Sequence, residues 1–468
     1  MKRLAAVGMA ICIFLTACGG MGTVTGTGKV QPPDPSQNIY SAESPDAEAA
    51  LPLDRAPQSS EDGESEPPLE ESEEPSSSAP PESSAPSADP EPSSVPAVSP
   101  NAPSGEVRAV WISYLEFLNV GQNRSKSQFT SSISSMFDEA ADFGLNTVYV
   151  QVRPFGDALY ESDYFPWSYV LTGEEGIDPG YDPLAVMVSC ARDSGLRIEA
   201  WINPYRVRAA GSSRELDDSN PAARSLSSGG SLAVAYNGGV FYNPASQEAR
   251  NLITDGVVEI LKKYDVDGIH FDDYFYPTTD AAFDAAEYAS YQNGGGSLSL
   301  ADWRRQNVTA LIRQVASAVR EADSSAAFGI SPQARMDINY NQQYADIGAW
   351  CRAGWLDYVC PQIYFGFDHD TVPFDACADE WNDLVGGTGT VLYTGLAAYK
   401  CGASDGYAGG GVNEWLNNSD LLSQMVKCAR KLSGYGGFAV YRYDSLFSPD
   451  VSVSGLVGSE RENLAAIL

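Results

Sequence analysis

The chain is 468 residues long, which allows either two or three average domains or one large α/β barrel with long loops. Its formal net charge of -33 at pH 7 argues against a nucleic-acid partner, because an acidic surface repels phosphate backbones. Only two histidines, His270 and His369, are present, which argues against a zinc centre needing two or three of them, and no metal or cofactor is expected.

Residues 1–18 read as a lipoprotein signal peptide. Lys2 and Arg3 precede an apolar run too short to span a bilayer, and Leu15-Thr16-Ala17-Cys18 has the form of a lipobox that acylates Cys18. This predicts a protein of the bacterial cell envelope, lipid-anchored to a membrane and facing outside the cytoplasm. Residues 19–105 hold sixteen Asp or Glu against Lys29 and Arg55 and are rich in Pro and Ser. Such a stretch buries too little apolar area to offset its ordering entropy, so a disordered tether is expected. The folded domain is then residues 106–468. Its cysteines, Cys190, Cys351, Cys360, Cys377, Cys401 and Cys428, form no CxxC pair and read as small buried apolar side chains.

From residue 107 strand and helix signals alternate. Strands are predicted over 107–113, 146–153, 197–203, 267–273, 326–332, 356–364, 390–397 and 437–443. Helices are predicted over 128–143, 183–194, 246–264, 302–322, 344–353, 376–384 and 420–432, with residues 204–244 left as a long loop. Apolar strands alternating with helices imply a parallel sheet covered on both faces. Eight such units over this length predict a (β/α)8 TIM-type barrel. The alternative is an open doubly wound sheet, but no Gly-rich phosphate loop follows the first strand.

In a barrel, polar residues near the carboxyl ends of strands converge on one face. The period-two alternation puts His270 and Asp272 opposite Ile269 and Phe271; Asp272 is the leading catalytic carboxylate, with Asp273 either its partner or a substrate hydrogen-bonder. Asp267 and Asp357 stand at strand starts and read as turn or capping residues. Other strand ends offer Gln151, Arg153, Glu199, Trp201, Asn203, Ser331, Gln333, Gln362, Tyr364, Arg442 and Asp444, with Asp157, Tyr205 and Tyr274 just beyond. Arg153, Asp157, Asn203, Tyr205, His270, Gln362 and Tyr364 are expected to bind substrate, with Trp201 and Tyr274 as platforms for sugar rings. His270 reads equally as a hydrogen-bonded core residue or as one that orients Asp272. No G-x-S-x-G elbow appears, so carboxylates are the available chemistry, and glycoside hydrolysis needs a pair of them and no cofactor.

The strings VRAVWIS from Val107, FGLNTVYVQVRPFGDALY from Phe143, GLRIEAWINPYRV from Gly195 and FYNPASQEAR from Phe241 belong together with VDGIHFDDYFYP from Val266, FGISP from Phe328 and LDYVCPQIYF from Leu356. Over residues 106–445 the chain resembles the glycosyl-hydrolase-like 10 family of bacterial envelope lipoproteins. The resemblance implies a (β/α)8 barrel acting on cell-wall or envelope glycans, with peptidoglycan strands freed of stem peptides cleaved by characterised relatives. It places Asp272 at the strand-four catalytic aspartate. The chain departs from the family pattern at Glu199, where a histidine is common, and at Asp444, where a glutamate is common. The acid that opposes Asp272 is therefore sought among Asp444, Glu199 and Asp157. The expected partner is an amino-sugar-containing envelope polysaccharide; the alternative is a glycan-binding or scaffolding lipoprotein without turnover.

Overall fold

Continuous apolar runs pair into parallel strands here because each is covered by an amphipathic helix. The computed structural model describes residues 101–468, so the signal peptide, Cys18 and all but the end of the 19–105 tether lie outside the described residues. Three strands open the chain, β1 (Val107–Ile112), β2 (Thr147–Arg153) and β3 (Arg197–Ile202). A separate sheet follows with β4 (Arg206–Arg208), β5 (Ala233–Tyr236) and β6 (Gly239–Tyr242). The remaining strands are β7 (Gly268–Phe271), β8 (Ala327–Ile330), β9 (Tyr358–Val359), β10 (Val391–Ala397) and β11 (Tyr435–Tyr441). Eight of them close a parallel barrel in the order β1-β11-β10-β9-β8-β7-β3-β2. This is the predicted architecture, and each barrel strand overlaps its predicted span, although the sixth, expected over 356–364, is only Tyr358–Val359 and the fourth, expected to reach 273, ends at Phe271.

The helix Gln247–Lys263, which precedes β7, shows how the cover forms. Ser246 caps its start by accepting from the Ala249 N–H, and Ile253, Val257, Ile260 and Leu261 form one buried stripe at helical spacing. That stripe shares one buried apolar cluster with the outward residues of the strands, among them Val148, Val150, Ile198, Ala200, Ile269 and Phe271. The inward residues form a second cluster that includes Trp111, Tyr149, Trp201, Tyr358 and Tyr393. Gly329 makes this interior possible, because a Cβ there would stand 2.2 Å from the Tyr358 ring. Asp267 and Asp357 act as expected at strand starts, with Asp267 accepting from the Ile198 N–H at 2.8 Å and Asp357 from the Phe328 N–H at 2.7 Å. The six cysteines of the folded domain are unpaired, and all but the half-buried Cys428 are buried.

Residues 204–244, read from sequence as a loop, hold the three-stranded antiparallel sheet β4-β6-β5 and the helix Pro221–Ser228. The hairpin turns on Asn237 and Gly238, both at positive φ, which is the primed turn that matches strand twist. The helix Tyr114–Val120 was also unforeseen; Ser113 and Glu116 form its capping box.

The loop after β7 is held by charge. Arg304 Nε donates to Asp284 Oδ2 at 2.9 Å with both side chains fully buried, and the Tyr276 hydroxyl donates to the same oxygen at 3.0 Å. Removing one partner leaves the other charge buried and unpaired. We expect Arg304→Met to lower the unfolding free energy by about 3–5 kcal/mol in urea titrations. A loss below about 1 kcal/mol, the range of an exposed pair, would contradict this account of the loop.

Candidate active site

A cavity of about 270 Å³ opens at the carboxyl ends of the barrel strands. Asp272 and Asp273 stand just past β7 and both line it. Neighbours within a strand face opposite ways, but β7 ends at Phe271, and the bend that follows brings both carboxyls into one pocket. Each is met by an amide from a neighbouring strand end. Gln362 Nε2 donates to Asp272 Oδ1 at 3.2 Å, and Gln333 Nε2 donates to Asp273 Oδ2. Gln333 and Gln362 are themselves bridged across the ends of β8 and β9.

The two carboxyls are close enough to hydrogen-bond to each other. Burial, and then the negative charge of Asp273, hold the Asp272 carboxyl well above the usual carboxylate range. Burial also raises Asp273, against the hydrogen bonds of Asp272 and Gln333 and the charge of Arg206. Burial and mutual repulsion thus favour a proton held at the pair, with Asp272 the more strongly raised of the two.

Beneath the pair a chain of hydrogen bonds crosses the barrel. Trp111 Nε1 donates to His270 Nε2 at 3.0 Å. An indole N–H only donates, so the imidazole proton sits on Nδ1, which lies 2.8 Å from the Tyr358 hydroxyl. Tyr358 in turn donates to Glu199 Oε2 at 2.6 Å. Burial pushes the His270 pKa down to about 3, so the ring is neutral. His270 reaches Asp272 indirectly: its Nε2 lies 3.1 Å from the Ser331 hydroxyl, and the Ser331 carbonyl accepts from the Gln362 amide that also holds Asp272. Both sequence readings of His270 thus describe part of its position.

Of the other residues singled out, Trp201, Tyr274, Ser331, Gln333, Gln362 and Tyr364 line the cavity with the two aspartates. The rest do not. Glu199 faces inward as the alternation requires, but it pairs with Gly268 at the start of β7, a full layer below the mouth, and it is bound by Arg197 at 3.3 Å. Burial pushes its pKa up to about 6 against the Arg197 charge. Arg153 follows a register shift between β2 and β3 that turns it out of the barrel; its guanidinium lies 4.1 Å from the Phe165 ring, against the covering helix. Asp157 is fully buried away from the pocket with Glu175, 3.3 Å from Arg214. Asn203 accepts from Gln151 at 3.2 Å, and Tyr205 is fully buried behind the mouth. Asp444 lies on the helix Tyr443–Phe447, where its N–H donates to Glu116 and Arg442 reaches it at 3.5 Å. None of Asp157, Glu199 and Asp444 faces Asp272 across the cavity.

The sequence reading passed over the segment after β10. There Lys400 and Asp405, paired at 2.6 Å, line one wall, with Tyr399 beside them and Tyr407 at 60 % exposure on the rim. No periodic signal marks this stretch, Ala398 to Tyr407, in which glycine and small residues predominate. Arg206 stands at the end of the AWINPYR run with no local signal of its role; its guanidinium lies 4.3 Å from the Tyr274 ring and its charge acts on both aspartates.

The folded state binds fewer protons on His270 than the unfolded chain between about pH 3 and 6.5, so its burial favours folding fully above that window and less as pH falls through it. With two histidines in the chain, imidazole nitrogen NMR reads this directly. We expect one ring to stay neutral, protonated on Nδ1, from pH 5 to 8; titration of both rings near pH 6.5 would contradict the buried chain.

The glycosyl hydrolase-like 10 model matches residues 106–407. The protein named glycosyl hydrolase DigH from Escherichia coli K12 is 33% identical over 392 residues, covering 76% of this chain and 87% of that protein. The one named glycosyl hydrolase YngK from Bacillus subtilis is 35% identical over 329 residues, covering 66% of this chain, and the chain spans 63% of that relative's length. Among solved structures, the PgaB (BpsB) glycoside hydrolase domain from Bordetella bronchiseptica shares the fold at a TM-score of 0.50 and 14% identity, over 76% of this chain and 99% of that one. The chain belongs to the glycosyl hydrolase-like 10 family.

Proposed function

We propose that this protein is a membrane-anchored glycosidase that cleaves an amino-sugar-containing polysaccharide of the cell envelope, with peptide-free peptidoglycan strands as the leading substrate. The observation that carries the reading is the pair Asp272 and Asp273, buried side by side in one aromatic-walled pocket, where burial holds both carboxyls above their usual range. Two carboxyls taken out of water are costly to a fold, and a site that only binds sugar has no need of them. A glycosidase does, because a carboxylic acid that stays protonated at neutral pH is what a departing sugar oxygen requires. Tyr364, Tyr399 and Tyr441 form a connected aromatic wall, with ring centroids 5.7–6.0 Å apart, that suits the apolar face of a sugar ring.

The anchor is inferred from the lipobox at Cys18 and the acidic Pro/Ser-rich stretch behind it. No helix among the described residues is long and apolar enough to cross a membrane. In the full chain, Cys18→Ala should move the protein from the membrane to the soluble fraction and abolish lipid labelling; unchanged partitioning would refute the anchor.

Hydrolysis of purified peptide-free glycan strands tests the enzyme. Asp272→Asn should lower kcat by about 10²–10⁴-fold, the usual worth of a positioned acid, while leaving the fold and strand binding intact. An unchanged rate in a folded Asp272→Asn variant would remove Asp272 from the chemistry, and binding of envelope glycans without cleavage by the wild type would favour a scaffolding role.

A further inference from the structure

Glycosidases that use two protein carboxyls place them on opposite sides of the scissile bond, about 5–9.5 Å apart. This pocket is built differently. Asp272 and Asp273 are sequence neighbours within hydrogen-bonding distance of each other, so together they supply one wall. Among the described residues the other carboxylate lining the cavity is Asp405, and both its oxygens are occupied: Oδ2 by Lys400 at 2.6 Å and Oδ1 by the Tyr407 N–H at 3.2 Å. Glu199 lies a layer below with one oxygen on Tyr358 and the other on Arg197, and Asp444 is bound beside Glu116 and Arg442. The pocket thus holds an acid and an adjacent base, and no unengaged carboxylate to attack from across the sugar.

We propose that the missing nucleophile is carried by the substrate: the carbonyl oxygen of a 2-acetamido group on the sugar whose bond is cleaved. This rests on the glycosidase reading above and narrows it to glycosides of 2-acetamido-2-deoxy sugars. In the first step the Asp272 proton passes to the departing glycosidic oxygen. As that C1–O bond breaks, an electron pair of the acetamide oxygen forms a new bond to C1 and closes a five-membered oxazolinium ring. Asp273 accepts a hydrogen bond from the acetamide N–H, aligning the group and stabilising the positive charge that develops on it. In the second step water adds to C1 and gives its proton to the Asp272 carboxylate. The ring oxygen leaves C1, the acetamide is restored, and the anomeric configuration is retained. Gln362 and Gln333 fix the two carboxyls in these separate roles by donating to one each. The wall of Tyr364, Tyr399 and Tyr441 offers apolar surface to the acetamide methyl.

The full chain would be assayed on N-acetylglucosaminides and on the same compounds with mono-, di- and trifluoroacetyl groups, and the first-formed anomer followed by proton NMR. Retention, loss of turnover as fluorine is added and competitive inhibition by a sugar thiazoline are the expected results. Asp272→Asn should still release an activated phenol in the first step, read as a burst ahead of a slow hydrolysis step, because that leaving group needs no proton, whereas Asp273→Asn should lose the burst. The reverse pattern would overturn this division of roles. Inversion, rates indifferent to fluorination, or a covalent glycosyl adduct on Asp405 or another carboxylate would overturn the internal nucleophile while leaving the glycosidase reading standing. Absence of cleavage of every N-acetylated envelope glycan would overturn both.

Discussion

Two carboxyl groups buried side by side cannot both ionise without strong repulsion, and the mouth of this barrel is arranged around that constraint. The strand that delivers them stops two residues short of its predicted end, so that Asp272 and Asp273 turn into one cavity instead of to opposite faces. Neighbouring strands contribute Gln333 and Gln362, neutral donors that hold each carboxyl without adding a full positive charge beside it. Arg206 supplies positive charge from beyond the pair, over the Tyr274 ring. With a lysine at the distance of either glutamine, both acids would ionise and the proton needed for chemistry would be lost.

The floor beneath is equally specific. Barrel interiors of this type are commonly filled with branched aliphatic side chains. Here Trp111, Tyr149, Trp201, His270, Tyr358 and Tyr393 replace them, with Tyr149 stacked on His270 at 4.2 Å. A hydrogen-bonded aromatic floor has fewer ways to repack than an aliphatic one, and through Ser331 and Gln362 it fixes the orientation of Asp272. The arrangement has a stability cost. The folded state favours the protonated forms of Glu199 and Asp272, so their burial opposes folding above the ordinary carboxylate range, and the broad apolar layer between strands and helices must offset it.

Much of this was legible in the sequence, and the parts that were not have physical causes. Strand positions and the inward or outward sense of Ile269, His270 and Phe271 followed from period-two alternation, which a parallel barrel enforces. Alternation does not report depth: Glu199 faces inward as read, yet lies below the mouth. Nor does it survive irregular backbone, so the register shift after Gln151 sent Arg153 outward and the bend after Phe271 brought Asp273 inward. Asn237-Gly238 between apolar runs and Ser113 with Glu116 are local signals that marked a hairpin and a helix start, and both were present to be read. The Lys400 to Tyr407 wall carried no such mark, because its residues are brought together by a long loop and not by a repeating element.

The state of the aspartate pair at neutral pH is the claim on which the rest depends. Carbon-13 NMR of the side-chain carboxyls, with Asp272 and Asp273 assigned by their Asn variants, reports it directly. Two widely separated titration steps, with one proton retained by the pair through neutral pH, are predicted; two carboxyls that both ionise near the ordinary value of about 3.9 would contradict the account.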